Sequence, residues 1–432
     1  MTDLITRKPS DWDIKNLENI ATFITKGATP TTYGFEWVEE SSDSIPFLRS
    51  ECVTANGFNR KGMNFISKKA HVTMGRSKIK SGDILMTITG NIGRIATLPD
   101  EIPEANINQH IAKISVIDGV SSSYVAQALQ QERYNRYYER ILTGQAYPQI
   151  SLKQVRETPI LLPPHPEQQK IAEVLSTVDK KIDLIDQKIA ETEKLKTGLM
   201  QKLFSEGIGV QDENGDWQPH AEFEDNGLPM HWGFLKLGSV AKVTSGGTPS
   251  RKKASFWENG TIPWITTGEV NFNCITNSSQ KITDEGLKNS AAKMFPPDTI
   301  LMAMYGQGQT RGRVAMLGIE ASTNQACAAI ICSKKLNPHF CYHYLSSQYE
   351  KIRAIGNEGS QKNLNGQIIK DILIPCPNLE EQEQIALVLS TVDEKITLLA
   401  KQQSETQQLK KGLMQKLLTG EWRVPVEETE AA

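Results

Sequence analysis

Two stretches of the chain share one hydrophobic rhythm. Ile171–Leu203 reads IAEVLSTVDKKIDLIDQKIAETEKLKTGLMQKL, and Ile385–Leu417 reads IALVLSTVDEKITLLAKQQSETQQLKKGLMQKL, 214 residues later and without a gap. Stepping alternately by four and three residues picks out Ile171, Leu175, Val178, Ile182, Ile185, Ile189, Leu199 and Leu203 in the first copy. The same steps pick out Ile385, Leu389, Val392, Ile396, Leu399, Leu413 and Leu417 in the second. A sustained 3.5-residue repeat predicts a long helix with one apolar seam, as in a coiled coil. No proline interrupts either copy, and Gly198 and Gly412 lie near the C-terminal ends. At about 1.5 Å per residue each helix is on the order of 55 Å long. Neither can bury its seam alone, so the simplest partner for one is the other. Thr192, Lys196, Thr406 and Lys410 interrupt the seam at matching places. The expectation is a local stutter in which Leu195 and Leu409 take over; polar residues that set the register are the alternative.

The repeat continues outside the helices. Trp12–Ile20 matches Trp232–Val240, Gly27-Ala28-Thr29-Pro30 matches Gly246-Gly247-Thr248-Pro249, and Ile45-Pro46 matches Ile262-Pro263. Further along, Gly93-Arg94-Ile95-Ala96 matches Gly312-Arg313-Val314-Ala315, Asn108-Gln109 matches Asn324-Gln325, and Ile160–Pro163 matches Ile372–Pro375. The chain therefore holds two copies of one plan: a globular part, a Pro-rich elbow and a long helix. In each globular part short β-type runs, such as 82–89 and 111–117, sit between Gly- and Pro-marked turns, and a helical pattern covers 122–142. The fold class is α+β, with two pseudo-repeated mixed domains separated by an antiparallel two-helix coiled coil. The expected divisions are 1–160, the first helix 161–207, a linker 208–230, then 231–374, the second helix 375–420 and a tail 421–432. The stretch 205–226 carries seven acids and no Lys or Arg, and reads as a solvated linker.

Composition excludes several classes. No run approaches 18 apolar residues, and the N-terminus lacks the apolar core of a secretion signal. Six cysteines form no CxxC pair, so reduced thiols in a cytoplasmic protein are expected, with no metal site. There is no GxxxxGK[ST], HExxH or GxSxG pattern. Asn337-Pro338-His339-Phe340 loosely resembles the NPP[YF] loop of amino-methyltransferases, but the cofactor-binding FxGxG is missing and a proline at a helix start explains it better. No catalytic residue is expected.

Local charge is more informative than the net charge of −2. From Arg60 to Arg94 eight cations face only Asp83, a net of +7; from Lys242 to Arg313 the net is +4. Either cluster alone suits a solvated face, but both copies carry one within the same plan, which suits phosphate neutralisation. Reading bases also needs Arg, Asn and Gln near base edges. Candidate DNA-binding residues in the first copy are Lys26, Arg49, Arg60, Lys61, Arg76, Lys78, Lys80, Asn91, Arg94, Gln145, Tyr147 and Gln149. In the second they are Arg251, Lys252, Lys253, Gln307, Gln309, Arg311, Arg313, Gln361, Lys362 and Asn363. The copies share framework residues and differ at these polar positions.

Trp232–Pro249 (more loosely Trp12–Pro30), Ile45-Pro46, Ile262-Pro263, Gly312–Ala315 and above all the doubled Pro-elbow helix resemble the specificity (S) subunit of type I restriction–modification systems, over nearly the whole chain. Copy one departs by Ala28 in place of the second Gly of GGTP, and by an elbow reading HPEQQ. The resemblance implies two target-recognition domains, each reading half of a split double-stranded DNA site, and helices that dock two methyltransferase (M) subunits, which restriction (R) subunits join. It implies S-adenosylmethionine, ATP and Mg on those partners, and no cofactor or catalysis on this chain. The helix pair would act as a ruler between half-sites about one turn, roughly 34 Å, apart. The rival readings are a coiled-coil scaffold with two protein-binding heads, and a self-contained methyltransferase or nuclease.

Overall fold

The computed structural model describes residues 5, 8–143, 148–225, 227–306, 308–355 and 363–425. The chain divides into two compact units: unit 1 holds Met1–Asp186 with Gln402–Ala432, and unit 2 holds Gln187–Lys401. Each long helix, His165–Leu203 and Leu379–Leu417, thus gives one half to each unit. The helices, expected as segments separate from the heads, join them: each head and its helix halves form one compact unit.

In unit 1 the strands form two main sheets. One runs in the order Asn64–Ser67, Ser44–Leu48, Glu104–Ile107, Lys78–Lys80, and the other Ala21–Lys26, Ile111–Val116, Ile84–Thr87, Ile95–Thr97. Leu48, Ile79, Ala105 and Ile107 of the first meet Leu85, Ala96 and Ile111 of the second in a buried cluster, so the sheets pack face to face. Strand residues alternate sides. Leu85 points into that cluster, while Ile84 and Met86 face a larger core containing Tyr124, Tyr134, Ile171, Leu175 and Leu417. This strand is covered on both sides, which is why it reads as an unbroken apolar run. The first and last strands of the head, Asp13–Asn16 and Pro159–Leu162, pair antiparallel beside the long helix.

Unit 2 repeats the plan. Its sheets run Gln280–Ile282, Ile262–Ile265, Ala321–Thr323, Met294–Phe295 and Ala241–Ser245, Cys327–Cys332, Ile300–Ala303, Val314–Leu317, Cys274–Ile275. Leu301 and Ala303 face the cluster between the sheets, and Ile300 and Met302 face Phe340, Ile385 and Leu389. The 122–142 pattern resolves into two helices, Ser122–Leu129 and Glu132–Arg140. Gln131 is extended between them, and its side-chain amide donates to the Ala128 carbonyl. A helical rhythm does not reveal such a two-residue break. Asn337 caps the helix Pro338–Ser347, accepting from the backbone N–H of His339 and Phe340, with Pro338 in the first turn.

Within unit 1, Asp179 meets Lys410 and Asp186 meets Gln403; one number rises as the other falls, so these segments are antiparallel. Within unit 2, Lys196 meets Asp393, while Leu199 and Leu203 further along pack with Leu389 and Ile385 earlier in the partner. The seam residues Ile171, Leu175, Ile185, Leu203, Ile385, Leu389, Leu399 and Leu417 are buried; Val178, Ile182, Ile189, Leu199, Val392, Ile396 and Leu413 are half-buried. The expected stutter does not occur. Leu195 and Leu409 are each 54% exposed, whereas Thr192 and Thr406 are buried. The threonine hydroxyls donate back to the Lys188 and Gln402 carbonyls one turn earlier, so they sit in the seam without an unpaired group. Lys196 and Lys410 reach Asp393 and Asp179 at 2.5 and 2.7 Å. A lysine whose nearest carboxylate is on the other helix favours one register.

The acidic linker is also more than a solvated spacer. The backbone N–H groups of Ile208 and Gly209 donate to Oε1 of Glu381 at 2.9 and 3.0 Å, His220 Nε2 lies 2.9 Å from the same oxygen, and Trp232 Nε1 donates to Oε2 at 2.9 Å. Gly207 and Gly209 take φ of +71° and +129°, and a Cβ on Gly207 would lie 2.4 Å from Glu381 Oε1, so only glycine fits. At the matching place in unit 1, Glu167 accepts from Trp12 Nε1 at 3.0 Å and from Arg423 Nε and Nη2 at 2.7 and 2.8 Å. Arg423 also forks onto Asp11, which lowers the Asp11 pKa.

Two predictions follow from the seam. Leu175→Ala should lower the unfolding free energy by about 2–5 kcal/mol, whereas Leu195→Ala should stay within about 0.5 kcal/mol, as read by denaturant melts. The second concerns His343, which is buried at the position where unit 1 has Gln127. Gln127 donates to Asp179 at 2.7 Å; His343 lies 3.8 Å from Asp393 and 3.1 Å from Ser390 Oγ. Burial, with Lys196 and His339 adding to it, lowers the His343 pKa from 6.5 to about 3. Between those values the unfolded chain binds the extra proton, so stability falls as pH drops through that window, by up to about 1.4 kcal/mol per pH unit. His343→Gln should flatten this acid limb in melts taken from pH 7 to 4, and an unchanged limb would refute the assignment.

Candidate nucleic-acid interface

In unit 1 the turn between Ile84–Thr87 and Ile95–Thr97 carries Asn91, exposed, and Arg94, half-buried. The turn is tightened by Gly93 N–H donating to the Thr87 carbonyl at 2.9 Å and Arg94 N–H donating to Thr87 Oγ1 at 3.0 Å. The second candidate loop lies against it: Ile150 N–H donates to the Ile88 carbonyl at 3.0 Å, and Thr89 bridges to Gln149. Gln149 is exposed, while Gln145 and Tyr147 lie outside the described residues. Two further segments join. Ile88 N–H donates to the His110 carbonyl at 2.9 Å, and Thr89 Oγ1 lies 2.6 Å from His110 Nδ1. Gln109 reaches His110 Nε2 at 3.0 Å, and Gln109 Oε1 accepts from the Thr29 hydroxyl at 2.7 Å. Segments 26–30, 88–94 and 108–110, with residues 143 and 148–150, thus form one polar loop cluster, with Lys26 exposed on the first.

Unit 2 builds the same cluster with different side chains. Leu364 N–H donates to the Met304 carbonyl at 3.0 Å, and Met304 N–H to the Ala326 carbonyl at 2.9 Å. The Thr248 hydroxyl bonds Gln325 Oε1, as Thr29 bonds Gln109. Close approach explains the glycines before these threonines: a Cβ on Gly27 would lie 1.8 Å from the Ile107 carbonyl oxygen, and one on Gly246 1.9 Å from that of Thr323. Gln309 is exposed and Asn363 half-buried, while Gln307, Gln361 and Lys362 lie outside the described residues. The two loop arginines are engaged within the fold. Arg313 donates to Asn271 Oδ1 at 2.7 Å and to Gln309 Oε1 at 3.3 Å; Arg311 donates to the Arg353 carbonyl at 2.9 Å. Arg353 in turn donates to the Gly308 carbonyl at 2.8 Å, and the Tyr349 hydroxyl bonds the Gln309 carbonyl.

Ion pairs redistribute the charge counted along unit 1 and leave its sum unchanged, because Lys68 gains an outside acid while Asp83 is given to an outside cation. Lys68 pairs at 2.6 Å with Asp43, whose pKa it lowers, and Arg49 pairs at 3.3 Å with Glu51. Asp83 is buried and pairs with Lys113 at 3.0 Å, so it neutralises a cation outside the counted stretch. Arg60 and Lys61 are exposed on the turn after the short strand Gly57–Phe58. Arg76 precedes the sheet-edge strand Lys78–Lys80; Lys78 sits opposite Asn106, and Lys80 opposite Glu104. No described hydrogen bond joins this edge to the loop cluster. In unit 2 Arg251 stacks 3.6 Å from the Trp257 ring centre and donates to Gln280 Oε1 at 2.6 Å. Lys252 is exposed, and Lys253 Nζ lies 4.9 Å from the Phe256 ring centre. Thr29, Gln109, His110, Thr248, Gln325, Tyr349 and Arg353 join the site only in the fold, although the doubled Asn-Gln and Thr-Pro steps mark four of these segments.

The model of the type I restriction modification DNA specificity domain matches residues 9–194 and 229–408. The chain is 25% identical over 429 residues to the putative type I restriction enzyme MjaX specificity subunit of Methanocaldococcus jannaschii, covering 96% of this chain and 95% of that protein. It is 30% identical over 162 residues to the EcoR124I/EcoR124II specificity subunit of Escherichia coli, 36% of this chain and 40% of that protein. The solved S subunit from M. genitalium shares the fold with a TM-score of 0.60 at 16% identity, over 94% of this chain and 96% of that one. A chain from a structure of type I R-M complex assembly gives 0.56, also at 16% identity, over 96% and 100%.

The unit 2 turn depends on Arg353. Arg353→Ala should lower hydrogen-exchange protection across 308–313 by roughly tenfold or more, as for a lost charge-assisted bond of about 1.5 kcal/mol, and leave 88–94 unchanged. Equal protection in both proteins would show that the contact does not hold the turn.

Proposed function

The chain belongs to the type I restriction–modification DNA specificity family and carries two of its domains; from that premise we propose that each unit reads one half of a split DNA site with its own loop cluster. Its function is that of a specificity subunit with two recognition domains, and a protein-binding scaffold is not favoured, because the family match spans both heads. One observation supports the two-reader reading above others. The same backbone bond, Ile150 to Ile88 and Leu364 to Met304, ties two loops together in both units, while the polar side chains those loops present differ. A shared frame with unlike donors and acceptors suits two readers of different base sequences.

The division of labour follows from chemistry. Asn91, Arg94 and Gln149 in unit 1, and Gln309 and Asn363 in unit 2, have the amide and guanidinium groups that pair with base edges, while Arg313 braces the turn that carries Gln309. Lys26, Arg49, Arg60, Lys61, Arg76, Lys78 and Lys80, with Arg251, Lys252 and Lys253, supply phosphate contacts that position without specifying. The chain is non-catalytic in this reading. It works in the cytoplasm, docks two methyltransferase subunits through its long helices, and is joined there by restriction subunits. The partners supply methyl transfer and cleavage.

The test is methylome mapping in a host expressing the chain with its methyltransferase partner. Asn91→Ala with Arg94→Ala should relax or change one half-site only, each lost bidentate contact costing about 1–3 kcal/mol of discrimination. Lys78→Gln with Lys80→Gln should weaken all sequences alike and lower the salt slope by about 0.9 per contact. If the first pair altered both half-sites together, independent reading would be excluded.

A further inference from the structure

Unit 1 holds a cleft of about 900 Å³ between the helix Glu132–Arg140 and the last turns of the second long helix. Its lining includes six cations, Arg133, Arg136, Arg140, Lys410, Lys411 and Lys416, against Glu132 and Glu421; with Lys410 held by Asp179 across the seam, a net of three positive charges remains. Arg136 and Lys411 share one carboxylate, Glu132, at 2.5 and 3.6 Å. Arg140 is exposed, its Nε donating to the Arg136 backbone carbonyl at 3.3 Å. Arg133 donates to the Leu418 carbonyl at 3.4 Å, and its buried Nε has no hydrogen-bond partner among the described residues. Gln130 and Asn135 line this cleft and also a second one, which is bordered by Asn91 and Arg94 of the loop cluster.

The corresponding groove of unit 2 is almost uncharged. It is lined by Thr197, Met200, Gln201, Phe204, Ser205, Ser346, Ser347, Gln348 and Lys351, with one cation and no acid. The repeat places Thr197 where unit 1 has Lys411. A partner protein that docks alike on both copies would need matching grooves, and these do not match. An anion that continues from one loop cluster only would need the charge on one side only.

We infer that the unit 1 cleft binds the phosphodiester backbone of duplex DNA running on from the half-site that unit 1 reads, so that the two units grip DNA with unequal electrostatic strength. This rests on the two-reader reading. Cations already holding a carboxylate or a carbonyl can turn to phosphate oxygens without burying new charge. Each phosphate neutralised releases counterions, so the effect reads out as salt dependence and not as base preference.

The experiment uses the full chain co-purified with its methyltransferase partner and a duplex carrying the mapped site. The variant combines Arg136→Gln, Arg140→Gln and Lys411→Gln, three exposed side chains, with an Arg136→Lys, Arg140→Lys, Lys411→Arg protein keeping the charge. The plot of log K against log salt should lose about two to three in slope for the Gln protein, at about 0.9 per phosphate, and little for the charge-keeping one. The methylated sequence should not change, and Lys351→Gln in unit 2 should move the slope by about one or less. If the wild-type complex shows no steep salt dependence, the two-reader reading itself fails. If the wild type is steep and the Gln protein matches it, only the cleft assignment is overturned. Loss of the co-purified subunit with an unchanged slope would overturn it too, and assign the cleft to an acidic protein surface.

Discussion

A helix of 39 residues with one apolar stripe cannot leave that stripe in water, and this constraint organises each unit. Half of one long helix covers half of the other, in opposite directions, and the head seals the open side. Ile171 and Leu175 belong to the same core as Tyr124 and Tyr134 of the head and Leu417 of the other helix, and Ile385 and Leu389 do the same with Phe340 and Leu203. The helices are therefore part of the head cores. The threonine and lysine steps do not weaken this arrangement, because each threonine satisfies its own hydroxyl and each lysine finds an aspartate across the seam.

Two buried carboxylates close the structure. Glu167 and Glu381 stand at the starts of the long helices, each taking a bond from the indole at the start of a head. A buried carboxylate is costly unless its oxygens are filled by donors. Unit 1 fills them with Arg423 from the C-terminal tail, and unit 2 with two backbone amides and His220 from the linker. The same requirement is met by unlike groups, which hides the correspondence from any comparison of residue types.

The heads show the same economy. Paired sheets fix where two loops meet, and one backbone bond in each unit holds them together, independent of side-chain identity. The side chains at the loop tips are then free to differ. In unit 2 part of that freedom is used inside the fold, where Arg311 and Arg313 brace the turn; in unit 1 the bracing comes from Thr87, Thr89 and His110.

The doubled plan, the α+β class, the long helices and their seam were legible in the sequence, because a period of 3.5 residues and an exact offset are properties of order along the chain. The strand Ile84–Thr87 was legible for the same reason. What tertiary structure alone decided depends on distance between residues far apart in number. It broke the 122–142 pattern in two, kept Leu195 and Leu409 out of the seam, and drew the acidic linker onto Glu381. It also took Asp83 away from the basic stretch and gave it to Lys113, and set Arg136 beside Lys411. Periodicity records which face of an element is apolar, whereas pairing of charges and donors is settled only when the chain has folded and brought them within reach.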